Sequence, residues 1–284
     1  MTAVTAVVVV VLPVLVLTWR GGGPSTVWSD DFEGAAGSAP STGTWILDTG
    51  TSYPGGPAAW GTGEIQTYTK DPANVSLDGR GNLRITPTVD AAGGWRSARL
   101  ESRRDDFRPA PGKILTVEAR FDLPDGGAGY WSAFWLLGAP FRTDLRSWPG
   151  SGEIDVMEHL GREPGTVYGT LHCGVYNGGP CDETTGLGGS RSGTTDGFHT
   201  YSIEWDRSHD AEELRWYVDG TLFHRVAASN LDPATWKQAT DHGYFLLLNV
   251  AIGGGWPGPP GAATRPGASM LVDRVSVRQR DAQD

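Results

Sequence analysis

The amino-acid sequence predicts an all-β fold, a sandwich of two packed antiparallel sheets, on three observations. Short stretches alternate apolar and polar residues, as in Leu115, Val117, Ala119 and Phe121 set against Thr116, Glu118 and Arg120, which marks half-buried strands. Turn residues punctuate the whole chain, with 41 Gly and 19 Pro spread along 284 residues rather than gathered in one block. Helical periodicity is confined to one short stretch, residues 230–239. Sheets with one apolar face must bury it against another layer, and a run of strands without helices leaves a second sheet as that layer. At this length, with 38% hydrophobic residues, one large core suffices, and a single folded domain is expected over 25–284.

Residues 1–19 carry no charged side chain, and 3–17 are almost wholly apolar. Residues 1–24 therefore read as a signal peptide or an N-terminal membrane anchor, since ~19 residues just span a bilayer as a helix. A secreted or extracellular protein is expected, tethered to a membrane if the segment is retained. Trp28 to Gly34 opens the folded region as an edge strand and loop. Asn74-Val75-Ser76-Leu77 and Leu83-Arg84-Ile85 read as strand, turn and strand, with Gly79 and Gly81 between them. After the strand of Leu115 to Phe121 comes an aromatic run, Tyr130-Trp131-Ser132-Ala133-Phe134-Trp135. Residues 166–172 read as the hairpin partner of the acid-rich strand that begins at Glu153. Residues 174–197, rich in Gly, Ser and Thr, read as a long loop, which in a compact domain is usually functional or mobile. Strands are expected again at 198–205 and 213–218, with Asp219-Gly220 as a hairpin turn. The continuously apolar run 244–252 reads as a strand buried between the two sheets.

The chemistry concentrates in Trp148-Pro149-Gly150-Ser151-Gly152-Glu153-Ile154-Asp155-Val156-Met157-Glu158. Strand side chains alternate between faces, so Glu153 and Asp155 share one face and Ile154 and Val156 the other. In a regular strand Glu158 would point into the core, where an unpaired carboxylate is strongly disfavoured. A β-bulge at Met157 restores its parity and lines up three acids. Such crowding raises some pKa values and leaves other groups ionised, the division of labour that glycoside hydrolysis requires. The alternative is a solvated, charged strand face. Trp148, the neighbouring glycines and the aromatic run at 130–135 favour a sugar-binding floor.

A formal charge of −10 argues against nucleic acid and anionic lipid as partners and leaves neutral polymers open. Cys173 and Cys181 flank a Gly-rich turn and are expected to pair in an exported protein. Two cysteines alone make no structural zinc site. His172 sits on the hairpin partner and should reach the cleft or serve as a structural histidine. His159, of opposite parity to Glu158, should be structural. No H-E-x-x-H, G-x-S-x-G or Walker loop is present.

These residues resemble the laminarinase-like members of glycoside hydrolase family 16, whose bulged signature reads E-[apolar]-D-x-x-E. The resemblance extends over 28–279 and takes in Trp60-Gly61-Thr62-Gly63-Glu64-Ile65-Gln66-Thr67-Tyr68, Ser97-Ala98-Arg99-Leu100 and Phe245-Leu246-Leu247-Leu248-Asn249-Val250-Ala251-Ile252-Gly253-Gly254. It implies a jelly roll of the concanavalin A-like kind with a cleft across its concave sheet. It also implies that Glu153 is the nucleophile, Asp155 its electrostatic neighbour and Glu158 the general acid/base. The activity implied is retaining, endo-acting hydrolysis of β-1,3 bonds in a β-glucan such as laminarin, by a monomer and without a cofactor. Mixed-linkage glucan, agar and carrageenan specificities, and a non-catalytic β-glucan-binding module, are the alternatives. Trp148, Trp135, Trp131 and Trp256 are expected to stack on sugars, with Arg99, Glu64, Asn249 and His172 as polar contacts.

In the final strand, Leu271, Asp273, Val275 and Val277 are expected to share a face, which leaves Asp273 as a lone acid in an apolar row. A salt bridge would satisfy it. The resemblance implies instead a structural calcium held by Asp273 with backbone carbonyls of Asp31 and Gly81, an oxygen set suited to that cation.

Overall fold

The computed structural model describes residues 23–193, 195–209 and 211–282. Residues 1–22, the bulk of the expected signal peptide or anchor, lie outside the described residues. Eighteen strands are found among the described residues. In chain order the first eight are β1 (Ser25–Asp30), β2 (Trp45–Leu47), β3 (Thr67–Tyr68), β4 (Val75–Leu77), β5 (Leu83–Ile85), β6 (Thr88–Val89), β7 (Trp95–Ser97) and β8 (Arg99–Ser102). The central ones are β9 (Lys113–Asp122), β10 (Tyr130–Gly138), β11 (Glu153–Leu160), β12 (Thr166–His172) and β13 (Leu187–Ser192). The last are β14 (Phe198–Asp206), β15 (Glu213–Val218), β16 (Thr221–Ala227), β17 (Tyr244–Ile252) and β18 (Met270–Asp281). One short helix, α1 (Pro233–Thr240), starts on Asp232, whose carboxylate accepts from the N–H groups of Ala234 and Thr235.

The strands form the expected sandwich. One sheet runs β16-β15-β14-β9-β18-β5-β4, with β1 also pairing to β18, and the other runs β13-β12-β11-β10-β17-β8-β2. Both are antiparallel throughout. The core lies between them. Leu115, Val117, Ala119 and Phe121 of β9 face Phe134 and Leu136 of β10, Ile154 and Val156 of β11, and Leu246, Leu248 and Val250 of β17 in one apolar cluster. Burial of such side chains stabilises by about 1.5–3 kcal/mol each.

Three expectations change. Residues 174–197 are not one loop: 187–192 form β13, which pairs with β12 as the edge of the seven-stranded sheet. A small third sheet, β3-β7-β6, was hidden because its strands are too short to show a period. The run 244–252 is buried throughout, but only one face meets the other sheet. Phe245 and Leu247 pack instead with Leu137 and Phe141, under Tyr53, Leu145 and Trp148.

The final strand also departs from the expected parity. A register shift between Val272 and Arg274 against β9 places Asp273 in a bulge. Met270, Val272, Val275 and Val277 are buried, whereas Leu271 is half-buried. The bulge releases Asp273 from the apolar row, and its carboxylate pairs with Arg120 at 3.2 Å and Arg274 at 3.0 Å.

Candidate active site

The site is built on the bulge of β11. Against β12, Asp155 faces Thr170 and Glu158 faces Tyr168, so three steps on β11 match two on β12. Against β10, Met157 faces Phe134 and Asp155 faces Trp135, which leaves Val156 as the extra residue. Val156 and Met157 both go into the core, while Glu153, Asp155 and Glu158 line a cleft on the outer face of the sheet. A bulge interrupts ladder bonding, and the chain compensates from across the core. Trp216 of β15 donates its indole N–H to the Asp155 carbonyl at 2.7 Å. Gly169 of β12 makes room for it, because a Cβ there would meet Trp216 Cδ1 at 2.4 Å.

The cleft encloses about 250 Å³ and is walled by Trp60, Glu64, Arg99, Trp131, Trp135, Trp148 and Asn249 together with the three acids. Each glutamate receives one indole N–H: Trp148 donates to Glu153 Oε2 at 3.1 Å, and Trp131 to Glu158 Oε1 at 2.9 Å. Trp135 donates to Asn249 Oδ1 at 2.8 Å. Trp135 thus belongs to the cleft wall and not to the core. Glu64 is buried and accepts from Thr62, Gln66 and Tyr68.

Arg99 lies deep in the wall, its guanidinium 5.1, 4.6 and 4.8 Å from the rings of Tyr53, Trp60 and Trp135. It pairs with Asp48 at 3.1 Å and donates to Tyr53 Oη at 2.5 Å. Burial and the neighbouring Glu101 push Asp48 up to about 7, against the pull of Arg99. Arg99 is therefore a fixed wall element held by charge and by aromatic faces.

Burial raises Glu153 above the ordinary glutamate range, and Asp155 adds repulsion. The same two causes hold Glu158 well above it. The nearby His172 cation opposes both shifts. One proton therefore stays among these carboxylates at pH values where a free glutamate, with pKa ~4.3, would have lost it. Glu183 pushes Glu153 further up and Arg99 draws it down, while the Trp131 indole N–H draws Glu158 down.

His172 opposes Glu153 across the β11–β12 ladder. It stands beside the acids, with Nε2 3.4 Å from Asp155 Oδ2 and Nδ1 2.8 Å from Glu183 Oε2. Donor atoms of Glu153, Asp155 and His172 lie within 4.8 Å of one another. Both nitrogens of His172 already face carboxylates, however, and an imidazolium has no lone pair for a metal. His159 is buried and bonds through Nδ1 to the Thr166 carbonyl at 2.9 Å, a structural role. Trp256 borders the cleft, edge-on to Trp131 at 5.6 Å and to Tyr168 at 5.0 Å.

Asp31, Gly81 and Asp273 lie elsewhere, at the ends of β1 and β5 where both pair with β18. A Cβ on Gly81 would sit 3.9 Å from the Asp31 carbonyl oxygen and 3.4 Å from a Glu33 carboxylate oxygen. Sequence reasoning passed over Tyr53, Asp48, Glu101 and Glu183. The first three come from or meet a Gly-rich segment with no period, and Glu183 was lost in the supposed loop after Cys173. A disulfide joins Cys173 to Cys181, as expected.

The family model for glycosyl hydrolases family 16 matches residues 67–273. The solved endo-1,3-beta-glucanase of Streptomyces sioyaensis is 51% identical, with a TM-score of 0.89 over 91% of this chain and 97% of that one. The endo-beta-1,3-glucanase of Pyrococcus furiosus is 33% identical, with a TM-score of 0.74 over 90% and 95%. A beta-glucanase of Rhodothermus marinus is 35% identical over 269 residues, which cover 88% of this chain and 84% of the relative. A bulged strand carrying three acids in an aromatic cleft, and a family match across most of the chain, lead to one conclusion: this protein belongs to glycosyl hydrolases family 16.

Proposed function

We propose that this protein is an endo-acting β-1,3-glucanase that hydrolyses laminarin-like β-glucans with retention of configuration. The observation that carries this reading is the β11 bulge, which puts Glu153, Asp155 and Glu158 on one cleft face. Glu153 attacks the anomeric carbon while protonated Glu158 gives its proton to the departing glycosidic oxygen. A covalent glycosyl-enzyme results. Glu158, now a carboxylate, takes a proton from water, and that water displaces Glu153 from the anomeric carbon. The proton on Glu158 is restored and no cofactor is needed. Trp148 and Trp131 orient the two glutamates through their indole N–H groups and offer ring surface to sugars.

The β-1,3 preference is supported by the named activity of the Streptomyces relative, and by the aromatic wall of Trp131, Trp135 and Trp148. Reducing-end release from laminarin, lichenan, agarose and carrageenan tests it. Fastest release from laminarin is expected. Equal or faster release from another polymer would transfer the assignment to that one, and retention of laminarin without any release would make the chain a binding module.

The same reading includes a structural calcium near Asp31, Gly81 and Asp273. In its favour, the Asp31 carbonyl and the Glu33 carboxylate converge beside Gly81, giving hard oxygen donors. Arg120 and Arg274 would have to yield Asp273. A melting temperature that falls with chelator and recovers with calcium is expected, and identical temperatures would exclude the ion. Export, with residues 1–24 as a signal peptide or a membrane anchor, and a monomeric state complete the proposal.

A further inference from the structure

Glu183 is a deeply buried carboxylate that the reaction itself does not use. Its side chain is 0% exposed, a placement that is costly unless every oxygen is partnered. Both are. Oε1 accepts from the Cys173 backbone N–H at 2.8 Å, and Oε2 meets His172 Nδ1 at 2.8 Å. Its backbone is fixed as well, exchanging two hydrogen bonds with Gly178, at 2.7 and 2.5 Å. The Cys173–Cys181 disulfide closes the loop that carries Gly178 and ends two residues before Glu183, with the two Cα atoms 5.5 Å apart. Gly186 packs on the far side of the imidazole, where a Cβ would come within 2.9 Å of it.

The other nitrogen of His172 points at the reaction centre, 3.4 Å from Asp155 Oδ2. That oxygen is buried and makes no hydrogen bond, so this ion-pair contact is the compensation the structure provides for it. We propose that Glu183 is a positioning residue for the hydrolysis: by holding Nδ1 of His172 it aims Nε2 at Asp155, and the disulfide-closed loop holds Glu183. It has this role only if the cleft works by the retaining reaction proposed above.

The physical logic is an alternation of charge, Glu183 negative, His172 positive, Asp155 negative, running from the loop into the cleft. Burial disfavours the imidazolium, yet Asp155 and Glu183 together hold His172 well above its ordinary range. The charged groups facing it are Asp155 and Glu153 from β11 and Glu183 from the loop, with Glu158 further along β11. Trp148, on the approach to β11, contributes only its ring, 5.9 Å away. The His172 cation in turn lowers both Glu153 and Glu158, and so favours an ionised nucleophile. Without the Glu183 charge, the buried imidazole would shed its proton at lower pH. Glu183 also raises Glu153 directly, but by less than the His172 cation lowers it, so loss of that cation still moves Glu153 to higher pH, and the ring would lose the bond that sets its orientation.

The test is Glu183→Gln, read by kinetics on laminarin and by NMR titration of the His172 ring. Kinetically, kcat should fall by about 10–100-fold, as for a small misplacement of reacting groups. KM should change less than about threefold, and the acid limb of the kcat/KM profile should move to higher pH. The imidazole should titrate at lower pH than in the parent protein. The Cys173→Ser/Cys181→Ser double variant should move all three readouts in the same direction. A lower kcat with an unmoved pH profile and an unmoved His172 titration would reduce Glu183 to a structural residue and overturn the proposal, as would unchanged kinetics. The titration needs no substrate, so it stands even if laminarin is the wrong polymer. Should Glu183→Gln fail to fold, the parent protein decides. An imidazolium that persists well above ~6.5 upholds the relay, and an ordinary titration there overturns it.

Discussion

At the scale of the residue, the two glutamates differ through their surroundings. Both are driven upward by burial and by Asp155, but Glu153 is pushed further by Glu183 and drawn back by Arg99, whereas Glu158 is drawn back by the Trp131 indole. Glu153→Gln should bring turnover below detection with the fold intact. Glu158→Ala should lose about 10²–10⁴-fold on unactivated laminarin, and with an activated aryl glycoside azide should restore turnover and yield the β-glycosyl azide. Near-normal hydrolysis of laminarin by that variant would remove Glu158 from its role. The pH–rate profile follows from the same charges. Below its acid limb Glu153 is protonated and cannot attack; above its alkaline limb Glu158 has lost the proton it must give. Because both groups are raised, both limbs should lie above the usual carboxylate range, as macroscopic values of a coupled pair. An acid limb at or below ~4.3 would contradict the burial seen here. Among the aromatics, Trp148→Ala should raise KM far more than it lowers the melting temperature, whereas Trp216→Phe should do the reverse. Oligosaccharide affinity and thermal unfolding, measured side by side, separate the two.

At the scale of the element, everything turns on one extra residue in β11. The parity of Glu153, Asp155 and Glu158 made the bulge legible in the sequence, since a regular strand would have turned an unpaired Glu158 into the core. What anchors the bulge was not legible, because Trp216 comes from the opposite sheet and Gly169 from a neighbouring strand. Trp216→Phe removes the indole N–H from the Asp155 carbonyl, at a cost of about 1–3 kcal/mol. Gly169→Ala should lower stability and kcat together by pushing Trp216 off that carbonyl, as urea unfolding and laminarin kinetics would reveal. Wild-type kcat in Gly169→Ala would mean that the bulge holds itself. Asp273 shows the same physics in reverse. Its strict alternation with Leu271, Val275 and Val277 suggested burial, but a bulge in β18 carries it outward to Arg120 and Arg274. The sequence holds no second acid nearby in that strand to betray the extra residue.

At the scale of the whole molecule, the sandwich was readable because its long strands alternate cleanly, as β9 does, while its small parts were not. β13 reads as Leu-Gly-Gly-Ser-Arg-Ser, a turn-like composition that is a strand only because β12 offers it an edge. The wall of Tyr53, Asp48 and Glu101 around Arg99 likewise comes from segments brought together by the fold. Two stacked sheets thus serve one purpose at the cleft: one sheet carries the acids on its outer face, and the other braces their bulge through the core. The most direct test of this arrangement is the anomeric configuration of the first product, followed by proton NMR as laminarin is cut. Newly formed reducing ends should appear as the β-anomer and then mutarotate toward α. Initial release of the α-anomer would contradict Glu153 as a nucleophile, and with it the reading of the three acids as a retaining site.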